Sequence, residues 1–177
     1  MWWSRTLVLA LAACALALGA CGFRPLYGGG DRVSVAYRQL AAVRIEPIED
    51  RIGQQLHNHL SDLLNPKGRP AKAAYVLYVD LEGGSEGLAV AKTKLATRTN
   101  FRLTAQYRLL SADGDVTLLG GSNVVVSSYN VLSNAFTTLI AENDAKARAA
   151  EEMAFGIRNR LAAYFATISS RQGAPAK

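Results

Sequence analysis

Between Lys92 and Arg108 the even-numbered positions carry five cations, Lys92, Lys94, Arg98, Arg102 and Arg108, interspersed with Ala96, Asn100, Thr104 and Gln106. The odd-numbered positions carry Thr93, Leu95, Thr97, Thr99, Phe101, Leu103, Ala105 and Tyr107. A β-strand turns successive side chains to opposite faces, so an unbroken strand here lines the cations on one face and sets the apolar residues against a core. Ammonium and guanidinium groups held on a rigid strand can form charge-assisted hydrogen bonds to phosphates. No Asp or Glu lies between Ala89 and Ala112. Two roles stand open for such a strip: a site for an anion, with Lys92, Lys94, Arg98 and Arg102 as its residues, or the solvated outer face that a one-sided sheet requires. A bulge near Ala96 or Thr99 would split it.

Cys21 is the second residue with chemistry of its own. Met1 to Arg5 is a short cationic start, and Thr6 to Ala20 is an uncharged run rich in Leu, Ala and Val, as in a secretory signal. The run ends in Leu18-Gly19-Ala20-Cys21, which resembles the lipobox of a lipoprotein signal peptidase. The small residues let the backbone enter a cleft extended, and the thiol is the acceptor for lipid. Two other readings compete. Ordinary secretory cleavage after Ala20 would prefer a small residue where Leu18 stands. A membrane-spanning helix needs about 20 apolar residues, and Gly19, Gly22 and Pro25 end this run early. Cys14 leaves with the signal, so the mature chain keeps Cys21 alone and forms no internal disulfide. Loss of Arg5 takes the formal charge from +6 to +5.

Other chemistries fit poorly. His57 and His59 are two apart in a helical stretch and point to different faces, which argues against a metal site. The serines lack a G-x-S-x-G setting. Gly83-Gly84-x-x-Gly87 reads as a turn or loop without the helix that a phosphate-binding loop precedes. The carboxylates Asp50, Asp62, Asp80 and Glu82 are scattered. The residues point to no catalysis, no cofactor and no metal. Nucleic acid is also a poor partner, because Phe101 and Tyr107 fall on the face opposite the cations and cannot stack beside them.

The elements that would position the strip follow from periodicity. Ala41 to Ile48 alternates as a strand, and Asp50 can cap the helix whose stripe is Ile52, Leu56, Leu60, Leu63 and Leu64, ended by Asn65-Pro66. A basic loop leads to a second strand, Ala73 to Glu82. The extended segment Leu88 to Leu110 carries the cations. Asp113-Gly114 turns the chain into a strand from Val116 to Val131, with Gly120-Gly121 read as a bulge. A long helix runs from Ile140 to about Ile168, with Ala150, Met153, Ala154, Ile157, Leu161 and Phe165 among its apolar residues. The predicted fold is α+β, with two helices packed on one face of a four-stranded, mostly antiparallel sheet. Residues 1–20 are expected as a signal, 21–40 as a lipidated tether that either docks through Phe23, Leu26 and Tyr27 or acts as a flexible linker, 41–168 as the domain and 169–177 as a disordered tail.

Three stretches together resemble one family. Cys21-Gly-Phe-Arg-Pro-Leu-Tyr-Gly28 follows the lipobox, Ile45-Glu-Pro-Ile-Glu-Asp-Arg-Ile-Gly-Gln-Gln-Leu56 opens the first helix, and Asn143-Asp-Ala-Lys-Ala-Arg-Ala149 lies in the last. They resemble the LPS-assembly lipoproteins of the LptE family. The resemblance implies two helices on a four-stranded sheet and a place inside the LptD barrel of the outer membrane, which such proteins plug and help assemble. It also implies binding of lipopolysaccharide in transit. Gly22 in place of Asp after the lipidated Cys agrees with release to the outer membrane. Phe136, Leu139 and Tyr129 are candidates for barrel contact. The alternative is an auxiliary lipoprotein of another envelope transport machine that docks a protein through its basic face.

Overall fold

A computed structural model describes residues 37–87 and 97–172. After a helical turn at residues 37–41, the elements are β1 (Val43–Ile45), α1 (Asp50–Leu64), β2 (Tyr75–Gly87), β3 (Thr97–Ser111), β4 (Thr117–Val131) and α2 (Ala135–Gln172). The sheet order is β1-β2-β3-β4. β1 pairs parallel with β2, which requires the crossover that α1 supplies, and the other pairings are antiparallel. The predicted α+β arrangement is the one found.

β3 organises the domain. Its odd-numbered residues Phe101, Leu103, Ala105, Tyr107 and Leu109 are all at most 3% exposed. They meet α2, whose Ala149, Met153, Ile157, Leu161 and Phe165 are fully buried, and α1 adds Leu56, Leu60 and Leu64 to the same core. The Phe165 ring lies 4.9 Å from that of Tyr75 and 5.5 Å from that of Tyr164. Burying each large apolar side chain contributes roughly 1.5–3 kcal/mol. The helices cover one face of the sheet and leave the other bare.

Several local features differ from expectation. β2 continues through Gly83-Gly84 to Gly87 as strand, paired with β3 from Leu103 to Thr99. Gly83 is accommodated there because a Cβ would stand 3.0 Å from the Phe101 ring. The irregularity in β4 lies at Leu118: Leu109 faces Leu119 while Leu110 faces Thr117. Gly120 and Gly121 are in regular register, and a Cβ on Gly121 would come within 2.5 Å of the Tyr107 hydroxyl. The glycine makes room for a ring and marks no bulge. Asp50 does not cap α1. Glu49 takes the N-cap position without a side-chain hydrogen bond, and Asp50 is the first helical residue at φ 66°, a left-handed conformation that Asp tolerates better than most residues. α2 starts earlier than expected, where the Asn134 Oδ1 accepts hydrogen bonds from the Phe136 and Thr137 amides, and it runs past Ile168 to Gln172.

Two residues tie α1 to the strands. Asn65 is buried, and its Nδ2 donates to the carbonyls of Ala41 (3.1 Å) and Val43 (3.2 Å). Gly53 lets α1 approach the β1–α1 connection, since a Cβ there would sit 2.8 Å from Ile48 Cγ2 and 3.0 Å from its carbonyl carbon. Gly53→Ala gains about 1 kcal/mol of helix propensity but forces backbone apart. We expect a net loss of about 1–3 kcal/mol in urea unfolding, and a rise in stability would refute the packing argument. Asn65→Ala should cost about 1–3 kcal/mol in the same measurement, because the buried carbonyl of Val43 and the part-buried one of Ala41 lose their donor.

Candidate functional site: the bare face of the sheet

The strip predicted from β3 is in register over its described length. Arg98, Arg102 and Arg108 are exposed on the bare face, with Asn100, Thr104 and Gln106 between them, and no break occurs from Thr97 to Leu109. Lys92, Lys94 and Cys21 lie outside the described residues, as do the signal and the tether as far as residue 36. Phe101 and Tyr107 are on the opposite, buried face, as the alternation required.

Neighbouring strands complete the face. On the β2 side, Arg108 is opposite Tyr78, Gln106 opposite Asp80, Thr104 opposite Glu82, Arg102 opposite Gly84 and Asn100 opposite Glu86. On the β4 side, Thr104 is opposite Val124, Arg102 opposite Val126, Asn100 opposite Ser128 and Arg98 opposite Asn130. Each β3 cation therefore runs between an acidic strand and an uncharged one. Reading β3 by itself missed the acids, which come from the pairing partner. Over the described strands, three arginines on β3 face three carboxylates on β2, Asp80, Glu82 and Glu86, so this part of the face is neutral.

Opposite charges are close without being locked together. Ion pairs elsewhere in the described residues include Arg44–Glu46 at 2.9 Å, Lys146–Glu142 at 2.6 Å, and Arg148–Asp144. Arg102 sits diagonal to Glu82 and Glu86, at the roughly 7–8 Å spacing of diagonal neighbours. At that range each pair is worth about 0.6 kcal/mol in water, less with salt. Directly across from Arg102, Gly84 leaves open space where a side chain would stand. On its other side Val124 and Val126 are 53% and 44% exposed. A guanidinium with an open flank and an apolar neighbour suits an amphiphile that carries both phosphate and hydrocarbon. Beside Arg108 the two glycines of β4 help leave a hollow of about 380 Å³, lined also by Tyr78, Asp80 and Gln106.

A second exposed surface lies at the β4–α2 junction. Phe136 is 70% exposed, and Leu132, Leu139 and Ile140 lie beside it along the chain, all exposed. The junction is held by Thr138, whose Oγ1 accepts from the Leu132 amide at 3.0 Å. Phe136 and Leu139 were expected as contact residues. Tyr129 was also a candidate but packs partly buried against the core, because it shares the inward parity of Val125. Leu132 and Ile140 were missed; their signal was the helical and chain proximity to Phe136. No group of His, Cys, Asp and Glu suited to a metal occurs among the described residues.

One helix layer, a mixed four-stranded sheet and a bare face define a class of small α+β domain. A candidate lipoprotein of Caulobacter crescentus CB15 shares this fold with a TM-score of 0.63 at 25% identity, over 76% of this chain and 98% of that one. A minor lipoprotein of Acinetobacter baumannii shares it with a TM-score of 0.55 at 18% identity, over 68% of this chain and 91% of that one. A protein of Rickettsia prowazekii (strain Madrid E) is 26% identical over 152 residues, 86% of this chain and 92% of that protein. The lipopolysaccharide-assembly family LptE matches residues 37–161, and the chain belongs to that family.

The mixed charge of the bare face generates a test. Glu82→Gln and Glu86→Gln together should raise the affinity for vesicles containing a phosphorylated lipid about threefold at low salt, and the gain should vanish at high salt. No change at low salt would show that the β2 acids do not modulate the β3 arginines.

Proposed function

We propose that this protein is a lipid-anchored component of lipopolysaccharide assembly at the outer membrane. Cys21 carries the lipid, the domain seats within an LptD-like β-barrel, and the bare face of the sheet binds lipopolysaccharide on its way outward. Family membership supports the process. The observation that carries the site is Arg102, open on the Gly84 side and flanked by exposed Val124 and Val126. In this reading Arg98 and Arg102, with Lys92 and Lys94 from the adjoining segment, donate to lipid A phosphates while the valines meet hydrocarbon. The exposed apolar end formed by Phe136, Leu139 and Ile140 is the candidate for barrel contact. The protein acts by binding and positioning, with no catalytic residue assigned.

A second reading draws on the acidic row of β2 beside the arginines of β3. Paired rows of opposite sign suit a protein partner with the complementary rows, as in an auxiliary lipoprotein of another transport machine.

Affinity capture of the tagged protein from detergent-solubilised outer membranes separates the two. We expect a large β-barrel in stoichiometric amount after a high-salt wash, together with lipopolysaccharide. Arg98→Glu with Arg102→Glu should keep the barrel and reduce retained lipopolysaccharide at least tenfold, since each lost charge-assisted contact is worth about 1.5–3 kcal/mol. Capture of a different complex without a barrel would favour the auxiliary reading. Unchanged lipopolysaccharide in the double variant would remove the strip from the site.

A further inference from the structure

Glycine stands at Gly83 and Gly84 inside β2 and at Gly120 and Gly121 inside β4, and packing accounts for only half of these positions. Gly83 and Gly121 face the core, where a Cβ would stand 3.0 Å from the Phe101 ring and 2.5 Å from the Tyr107 hydroxyl. Gly84 and Gly120 face the bare side. A Cβ on Gly84 would meet nothing within 4 Å, and one on Gly120 would meet only the Tyr107 carbonyl oxygen at 4.0 Å. Glycine weakens a strand interior, and where no packing demands it, it marks a close approach by a ligand or another backbone. Both positions stand directly across from an arginine of β3, Gly84 from Arg102 and Gly120 from Arg108.

The two arginines are about 20 Å apart along the strand, and their surroundings differ. Arg102 has Val124 and Val126 beside it. At Arg108 the hollow of about 380 Å³ is walled by Tyr78, Asp80 and Gln106. Arg108 is opposite Tyr78, and Gln106 is opposite Asp80 on one side and Ser122 on the other. All of these side chains are exposed, Tyr78 to 43%. An aromatic ring offers its negative face to C–H groups, a carboxylate accepts from hydroxyls, a primary amide donates and accepts, and a guanidinium holds an anion. A saccharide ring that bears a carboxylate or phosphate meets all four demands together. A hydrocarbon chain would leave Asp80 and Gln106 without partners, and a bare inorganic anion would be repelled by the Asp80 carboxylate.

We infer that the hollow beside Arg108 is a saccharide subsite that takes an acidic sugar, with Gly120 as the floor that lets the ring approach the sheet. The inference rests on the reading that the bare face binds lipopolysaccharide, and it gives that ligand a direction along β3. Hydrocarbon and its phosphates lie at the Arg98–Arg102 end beside the valines, and the saccharide lies toward Arg108. Tyr78 stacks on the sugar, Asp80 and Gln106 take its hydroxyls, and Arg108 holds its negative group.

The full-length processed chain in detergent micelles is titrated calorimetrically with the lipid-free oligosaccharide that mild acid releases from lipopolysaccharide. Saturable heat is expected, with none from a neutral glucose oligosaccharide. Gly120→Val fills the hollow and should weaken this binding about tenfold or more, while melting stays at or above that of the parent because valine favours a strand. Arg108→Gln should weaken it about tenfold and remove its salt dependence. Arg98→Glu with Arg102→Glu should lower retention of intact lipopolysaccharide yet change oligosaccharide binding less than about twofold, since those charges stand more than a Debye length away. A protein that retains intact lipopolysaccharide but gives no heat with the oligosaccharide overturns the subsite and leaves the proposed function standing; one that binds neither overturns both. Equal binding of the neutral oligosaccharide, or unchanged binding in Gly120→Val, also overturns the subsite. So does loss of a captured barrel in Gly120→Val with oligosaccharide binding intact, which would give the hollow to a protein partner.

Discussion

The alternation of β3 is the constraint on which the remaining structure depends. The strand is paired along both edges, and its odd-numbered side chains fill the space beneath α2. A shift of one residue would turn Arg98, Arg102 and Arg108 into the core and Phe101, Leu103 and Leu109 into water. Burying unpaired charges costs more than the roughly 5–15 kcal/mol by which a domain of this size is stable. The position of every cation on the bare face is therefore fixed by the apolar requirement of the opposite one. The backbone of the bare face is thereby held without any contacts of its own. In the proposed function this would leave little backbone freedom to be lost on binding, while the exposed arginine side chains keep theirs.

The electrostatics of that face change when β2 is placed beside β3. Three carboxylates on β2 compensate three arginines on the adjacent β3, so little field extends from this part of the sheet beyond a Debye length. Long-range attraction of anions must come from elsewhere in the chain, whose overall charge is positive. What the bare face can supply is discrimination at contact, where an oxygen near Arg102 meets donors on one side and valine on the other. In the proposed site Val124 and Val126 would matter beside the arginines, because an apolar flank lowers the local dielectric around an ionic contact.

Much of the fold was legible because its signals are local. A period of two identified the strands, a period near 3.6 identified α1 and α2, and Asp113-Gly114 marked the hairpin that forms, with the Gly114 amide bonded to the Ser111 carbonyl at 2.9 Å. The parts that were not legible depend on partners far along the chain. Gly83 and Gly121 look like punctuation in the sequence, yet each answers to an aromatic ring on β3, Phe101 and Tyr107. Asn65 looks like a helix stop and is one, but its side chain holds the strand entry through carbonyls more than twenty residues earlier. The same reason hid the acids of the site. Charge patterning along one strand cannot reveal the face of a sheet until the register of its neighbour is known.

The uncharged segment from Val116 to Ala141 brings these threads together. Folding explains only its inward half, where Val125 is buried and Asn123 meets α2 at Gly156, a Cβ on which would stand 2.7 Å from the Asn123 amide nitrogen. The outward half of β4, its edge and the first turns of α2 have no core to fill, and exposed positions in soluble domains ordinarily carry charge. Here they carry Ser, Asn, Thr, Val, Leu and Phe. A surface that avoids charge where folding does not demand it gives up its water readily. In this molecule such a surface adjoins the arginines of β3 on one side and continues into the apolar end at Phe136 on the other. The side of the domain built from β4 and the start of α2 is thus the side suited to contact, while the α1 side, fastened by Asn65 and Gly53, holds the scaffold together.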